Sequence, residues 1–139
     1  MKLIFADTFY WVAVSNKRDE WHDRVQQAAE ILKQAHLVTT DEVLVEVLTF
    51  FAAYGSRRRQ KTVEIVREIL GSSRVQVIPQ SRESFLAGLE LYSNRLDKEY
   101  SLTDCISMQV MRQLGITEAL TRDHHFAQEG FTVLFSEDT

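Results

Sequence analysis

Five short runs set the framework of this chain: KLIFA at 2–6, HLVTT at 36–40, RVQVIP at 74–79, TEALT at 117–121 and FTVLF at 131–135. Each is apolar or alternating, as a strand is, and each is parted from the next by a stretch of helical character. Strands that alternate with helices predict an α/β sandwich with a mainly parallel sheet, because parallel neighbours need a crossover between them. The intervening stretches are consistent with this. TFYWVAVS reads as a short helix or turn. WHDRVQQAAEILKQA carries Trp21, Val25, Ala28, Ala29 and Leu32 at helical spacing. DEVLVEVLTFFAAYG is a strong helix, with Thr39 and Glu42 as a capping box and Gly55 as its close. SRRRQKTVEIVREILG is expected to turn Val63, Val66, Ile69 and Leu70 inward. Ser81 is expected to cap the helix SRESFLAGLELYSNRL, and Gly115 to stop TDCISMQVMRQLG.

With 139 residues, 1–139 reads as a single domain with a proper core. One cysteine, Cys105, excludes an intrachain disulfide. No run approaches the ~20 apolar residues of a membrane span. MKLIFADTF meets Asp7 too early for a signal peptide, so the expected location is the cytoplasm. The net charge of −4 argues mildly against nucleic acid. Four acids gathered at a metal site would account for that excess by themselves, so net charge leaves nucleic-acid binding open.

The acids themselves are the informative residues. Asp7 directly follows KLIFA, Asp41 and Glu42 follow HLVTT, and Asp123 follows TEALT after one arginine. In a parallel sheet, the C-terminal ends of strands share one edge, and sites gather there. Asp104 stands at a helix start and could point to the same edge. Glu46 lies in VLVEVLTFF, one helical turn beyond Glu42. Each acid has an ordinary reading as a helix cap or an N-terminal acid. One site explains them together: hard oxygen ligands around Mg2+ or Mn2+, ions typically used on phosphates.

The segments LIFADTFYWVA, TTDEVLVEVLTFF and YSLTDCISMQVMRQLGITEALTRDHHF resemble the successive acidic motifs of PIN-domain ribonucleases. The nearest subgroup is the VapC-type toxins of toxin–antitoxin pairs or their stand-alone relatives. The resemblance runs from Lys2 to Phe135 and implies an α/β/α sandwich with a divalent-metal site at the C-terminal edge of the sheet. It places the family's acids on Asp7, Glu46, Asp104 and Asp123, with Glu46 chosen over Glu42, and its small polar residue on Thr121. It further implies a homodimer and a small antitoxin partner. WHDRVQQAA also resembles the first long helix of these toxins.

The expected function is therefore a metal-dependent endoribonuclease that leaves 5′-phosphate and 3′-hydroxyl ends. A DNA-directed nuclease with the same site is one rival. A non-catalytic domain that binds RNA or a partner is another, and intact acids at all four positions argue against it. A haloacid-dehalogenase-like phosphate enzyme is excluded by the missing second aspartate in DTF, and no Gly-rich phosphate loop is present. Arg57, Arg58 and Arg59 open a helix and form a candidate RNA-phosphate patch. His124 and His125 are read as packing around Phe126, and His22 and His36 have no partners at zinc spacing. Tyr10, Trp11, Cys105, Met108 and Met111 are read as core.

Overall fold

The computed structural model describes residues 2–136. Its first half contains β1 (Leu3–Ala6), α1 (Thr8–Ser15), α2 (His22–Ile31), β2 (His36–Thr40), α3 (Asp41–Phe50) and α4 (Ser56–Gly71). The second half contains β3 (Val75–Ile78), α5 (Arg82–Ser93), α6 (Leu102–Leu114), β4 (Glu118–Leu120), α7 (His124–Gln128) and β5 (Thr132–Val133). All strand pairs are parallel, in the order β3-β2-β1-β4-β5. The expected sandwich is the observed one. No helix among the described residues is long and apolar enough to cross a membrane.

The strand order decides where a site can form. From β1 the chain steps outward through β2 and β3, then returns to add β4 and β5 on the other side. The sheet therefore reverses its winding between β1 and β4, which pair through Phe5–Ala119 and Ala6–Leu120. At such a reversal the connections leave in opposite directions, and a crevice opens beyond the strand ends. Asp7 and Thr121 are the residues that leave β1 and β4 at that point.

The core lies between the sheet and its helices. Phe5, Phe51 and Phe126 are fully buried, each contributing about 2–3 kcal/mol of transfer free energy. Tyr10, Trp11, Cys105, Met108 and Met111 are buried with them. Helices α5 and α6 approach closely at Gly88, where an added Cβ would lie 2.4 Å from Ile106 Cγ1 and 3.1 Å from its backbone nitrogen.

Several local expectations change. The N-cap of α3 is Thr40, whose hydroxyl accepts from the Val43 amide at 3.1 Å. Thr39 instead points into the core, donating to the Ala6 carbonyl at 2.9 Å and accepting from Trp11 Nε1 at 3.4 Å. A capping box of Thr39 with Glu42 is thereby ruled out. Helix α3 ends at Phe50, and Gly55, at φ 95°, opens α4 rather than closing α3. On α4 only Val66 and Ile69 of the expected inward set are buried; Val63 and Leu70 are exposed. Ser81 caps α5 as expected, and Gly115 ends α6 in the left-handed conformation at φ 69°.

Candidate active site

Four separate elements bring carboxylates to the crevice. Asp7 sits between β1 and α1, Glu46 on α3, Asp104 in the first turn of α6, and Asp123 just before α7. The dominant charges acting on Asp7 include Asp104 and Glu46, and those acting on Glu46 are Asp104 and Asp123. The four therefore form one electrostatic cluster. Glu42 stays outside it, in a shallow groove with Arg82, Phe85 and Thr103. Asp41 is occupied elsewhere, accepting from the Gln80 amide at 2.8 Å.

The capping explanation can now be judged residue by residue. Asp104 does close a capping box, accepting from the Ser101 amide at 3.2 Å. Asp123 does cap α7, accepting from the His125 amide at 2.9 Å. Asp7 stands at the N-cap position of α1, and its side chain meets the adjacent Thr8 amide but caps no amide deeper in the helix. It is only 7% exposed. Its carboxylate instead accepts from Thr121 Oγ1 at 2.9 Å, and the same Thr121 oxygen accepts from the Asp123 amide at 3.1 Å. Glu46 accepts from Thr8 Oγ1 at 2.5 Å. Thr121 thus ties Asp7 to the Asp123 turn, and Thr8 ties Glu46 to α1.

These carboxylates titrate abnormally for a stated reason. Burial pushes Asp7 up to about 7, against the hydrogen bonds from Thr8 and Thr121 and with help from Asp104 and Glu46. Burial likewise raises Glu46 and Asp104, and the neighbouring carboxylates raise them further. A cluster of buried like charges is unfavourable unless protons or a cation neutralise it. An all-carboxylate donor set suits a hard divalent ion such as Mg2+ or Mn2+. Ligand atoms of Asp123, His124 and His125 also lie within 4.8 Å of one another. That trio arises from sequence adjacency, and the His124 side chain is 75% exposed. The four carboxylates come from four separate elements and act on one another through their charges.

His125 packs against Tyr100, as the sequence suggests, and it also lies beside two of the carboxylates. Its Nδ1 lies 3.2 Å from Asp123 Oδ1 and 3.6 Å from Asp104 Oδ2. Thr8 was missed by sequence reasoning, although a hydroxyl directly after Asp7 at a helix start was a usable signal.

The basic run has two characters. Arg58 turns inward: its guanidinium lies 3.8 Å from the Phe51 ring centre and donates to the Ser15 carbonyl and hydroxyl, both at 3.1 Å. Burial holds its pKa below the usual guanidinium range. Arg59 donates to the Ala52 carbonyl at 3.0 Å, and Arg57 is exposed. The run lies at the far end of α1 from Asp7, about 10 Å along that helix.

Residues 4–131 match the family described as PIN domain. The 23S rRNA-specific endonuclease VapC20 of Mycobacterium tuberculosis is 28% identical over 129 residues, which are 93% of this chain and 95% of that protein. The crystal structure of VapC20, described as a sarcin-ricin loop cleaving toxin, matches with a TM-score of 0.81 at 27% identity, covering 93% of this chain and 96% of that one. VapBC2 from Rickettsia felis, solved with a DNA fragment from its promoter, matches at TM-score 0.69 and 18% identity over 96% of this chain and 98% of that one. This last likeness bears on the fold alone.

Proposed function

This chain belongs to the PIN domain family, and on that premise we propose that it is a metal-dependent endoribonuclease, the toxin of a toxin–antitoxin pair. The observation that carries the reading is Asp7, a buried carboxylate that caps no amide deeper in α1, held by Thr121 and surrounded by the charges of Glu46 and Asp104. Structural economy alone would not keep such a group. VapC20, similar over most of the chain, is an endonuclease acting on 23S rRNA, which supports RNA as the substrate class here. We read residues 1–139 as one nuclease domain.

Asp7, Glu46, Asp104 and Asp123 would hold Mg2+ or Mn2+. A divalent ion there would neutralise charge on the phosphoryl oxygens and make the attacking water more acidic than bulk water. The chain's own contribution is placement. Thr121 fixes the face that Asp7 turns to the crevice, Thr8 fixes Glu46, and the capping bonds of Asp104 and Asp123 restrict both carboxylates to a narrow range. A phosphodiester laid across the crevice would be attacked in line by water, with the 3′ oxygen leaving, so products carry 5′-phosphate and 3′-hydroxyl ends. Arg57 and Arg59 are the proposed phosphate contacts outside the crevice, with Arg58 fastening α4 beneath them.

Val45, Leu48, Phe50, Tyr54 and Val63 leave an exposed apolar surface on α3, α4 and the turn between them. It supports a small antitoxin and a second copy of the chain as partners. The reading is tested by exchanging the two glutamates of α3. Glu46→Gln should abolish cleavage of RNA, and Glu42→Gln should keep most of it. The reverse pattern would place the site on the wrong turn of α3.

A further inference from the structure

We propose that His125 is a positioning residue of the acidic site, held there by a buried hub on Glu129; this rests on the metal-dependent reading above. The imidazole Nδ1 is buried and makes no hydrogen bond. It nevertheless lies 3.2 Å from Asp123 Oδ1 and 3.6 Å from Asp104 Oδ2. Its contact with Asp123 is close enough for a bond but off line. Nδ1 thus lies within reach of two carboxylates, one on α6 and one just before α7, without being bonded to either. Such a group offsets the mutual repulsion of the pair and limits how far they can part.

The ring is held in place from behind. Its other side packs against Tyr100, with ring centres 5.3 Å apart. Tyr100 is itself buried, and its hydroxyl donates to Glu129 Oε1 at 3.3 Å. The Glu129 side chain is 5% exposed and is clamped by Arg95 and by Arg112, the latter at 2.5 Å. Burial works to raise the Glu129 pKa, but the hydrogen bonds from the two arginines outweigh it and hold the carboxyl below its usual range. Glu129 is the residue that ends α7, while Arg112 is on α6 and Arg95 follows α5. The hub therefore fastens α7, which carries His125 and follows Asp123, to α6, which carries Asp104. Metal ligands must be held within about 0.5 Å of their productive places. Loss of a residue that orients ligands typically costs 10–100-fold in metal affinity.

The test is Mn2+ affinity of the purified protein, read from the free-ion signal in electron paramagnetic resonance. His125→Leu should weaken binding about tenfold. His125→Asn, which keeps an N–H near the Nδ1 position, should recover most of that loss, which a merely space-filling role would not allow. Tyr100→Leu should weaken binding to a similar degree, and the double variant should lose no more than either single one. If Tyr100→Leu fails to fold, the His125→Leu and His125→Asn pair decides alone. Affinities of both leucine variants within twofold of the native protein would overturn the proposal and leave the metal site standing. A nitrogen coupling from a directly bound imidazole would also overturn it, by making His125 a ligand. A native protein that binds no Mn2+ would bring down the metal reading itself, and the proposal with it.

Discussion

Replacing Asp7 with asparagine should stabilise the metal-free protein, and more so as the pH rises. Asparagine has nearly the same shape and can still accept from Thr121, but it carries no charge. The folded pKa of Asp7 is raised from 3.8 to about 7. The folded state therefore binds its proton more tightly than the unfolded state. Stability from this group is fully present below about pH 4 and is lost as the pH climbs through 7. The whole penalty is about 4 kcal/mol as an upper figure, since each pKa unit is worth about 1.4 kcal/mol. Between pH 5 and pH 8 the gap between the variant and the native chain should widen by about 2–3 kcal/mol. For a chain of this size that is about 5–10 °C in melting temperature. The assay is thermal unfolding of both proteins in a chelator at the two pH values. Comparing the variants cancels titrating groups outside the cluster, including Glu129, whose effect runs the opposite way; Glu46 and Asp104, relieved of the Asp7 charge, add to the gain of the variant at high pH. Excess Mn2+ should raise the melting temperature of the native protein and do far less for the variant. If Asp7→Asn melts lower than the native chain at pH 8, with no widening from pH 5, Asp7 is not the strained carboxylate described here.

Gly88→Ala should cost about 1–3 kcal/mol by overpacking, because its Cβ would meet the Ile106 side chain and backbone. Ile106 lies two residues beyond Asp104, so RNA cleavage should fall as well, which a melting curve and a cleavage assay on the same preparation would show. Arg57→Ala with Arg59→Ala should weaken RNA binding and flatten the log–log salt dependence by about 1.4 for single-stranded RNA, without altering the choice of cleavage sequence. An unchanged slope would mean that the two side chains face solvent or a protein partner.

Much of this architecture is legible in the sequence because it is written locally. The strand runs are short, apolar and separated by helical spacing, and this alone dictates a parallel sheet. Asp7 and Asp123 are legible because one directly follows a strand and the other comes a few residues after one, and strand ends share an edge. Glu46 is less so, since helical spacing leaves Glu42 and Glu46 on one face, and the choice rests on the apolar surroundings of Glu46 together with the resemblance to PIN domains. What was illegible depends on contacts distant in sequence. Thr39 and Thr40 are adjacent and chemically equivalent, and only Trp11 and Ala6 decide which one is drawn into the core. Val63 and Leu70 fit a helical stripe, but α4 meets its neighbours over a narrower face than the pattern allows. Arg58 reads as one of three surface cations, and becomes a clamp because Phe51 and Ser15 lie beneath it. The Glu129 hub joins residues 95, 100, 112 and 129, which share no local pattern.

The most direct measurement is cleavage of a defined RNA by the purified chain in Mg2+ or Mn2+ and in a chelator, with the chemistry of the product ends determined. Native protein should cut only with the metal present and leave 5′-phosphate and 3′-hydroxyl ends, and Asp104→Asn should be inactive in both conditions. Undiminished cleavage in the chelator, or products with 2′,3′-cyclic phosphate ends, would contradict a carboxylate-held metal and point instead to attack by the ribose hydroxyl.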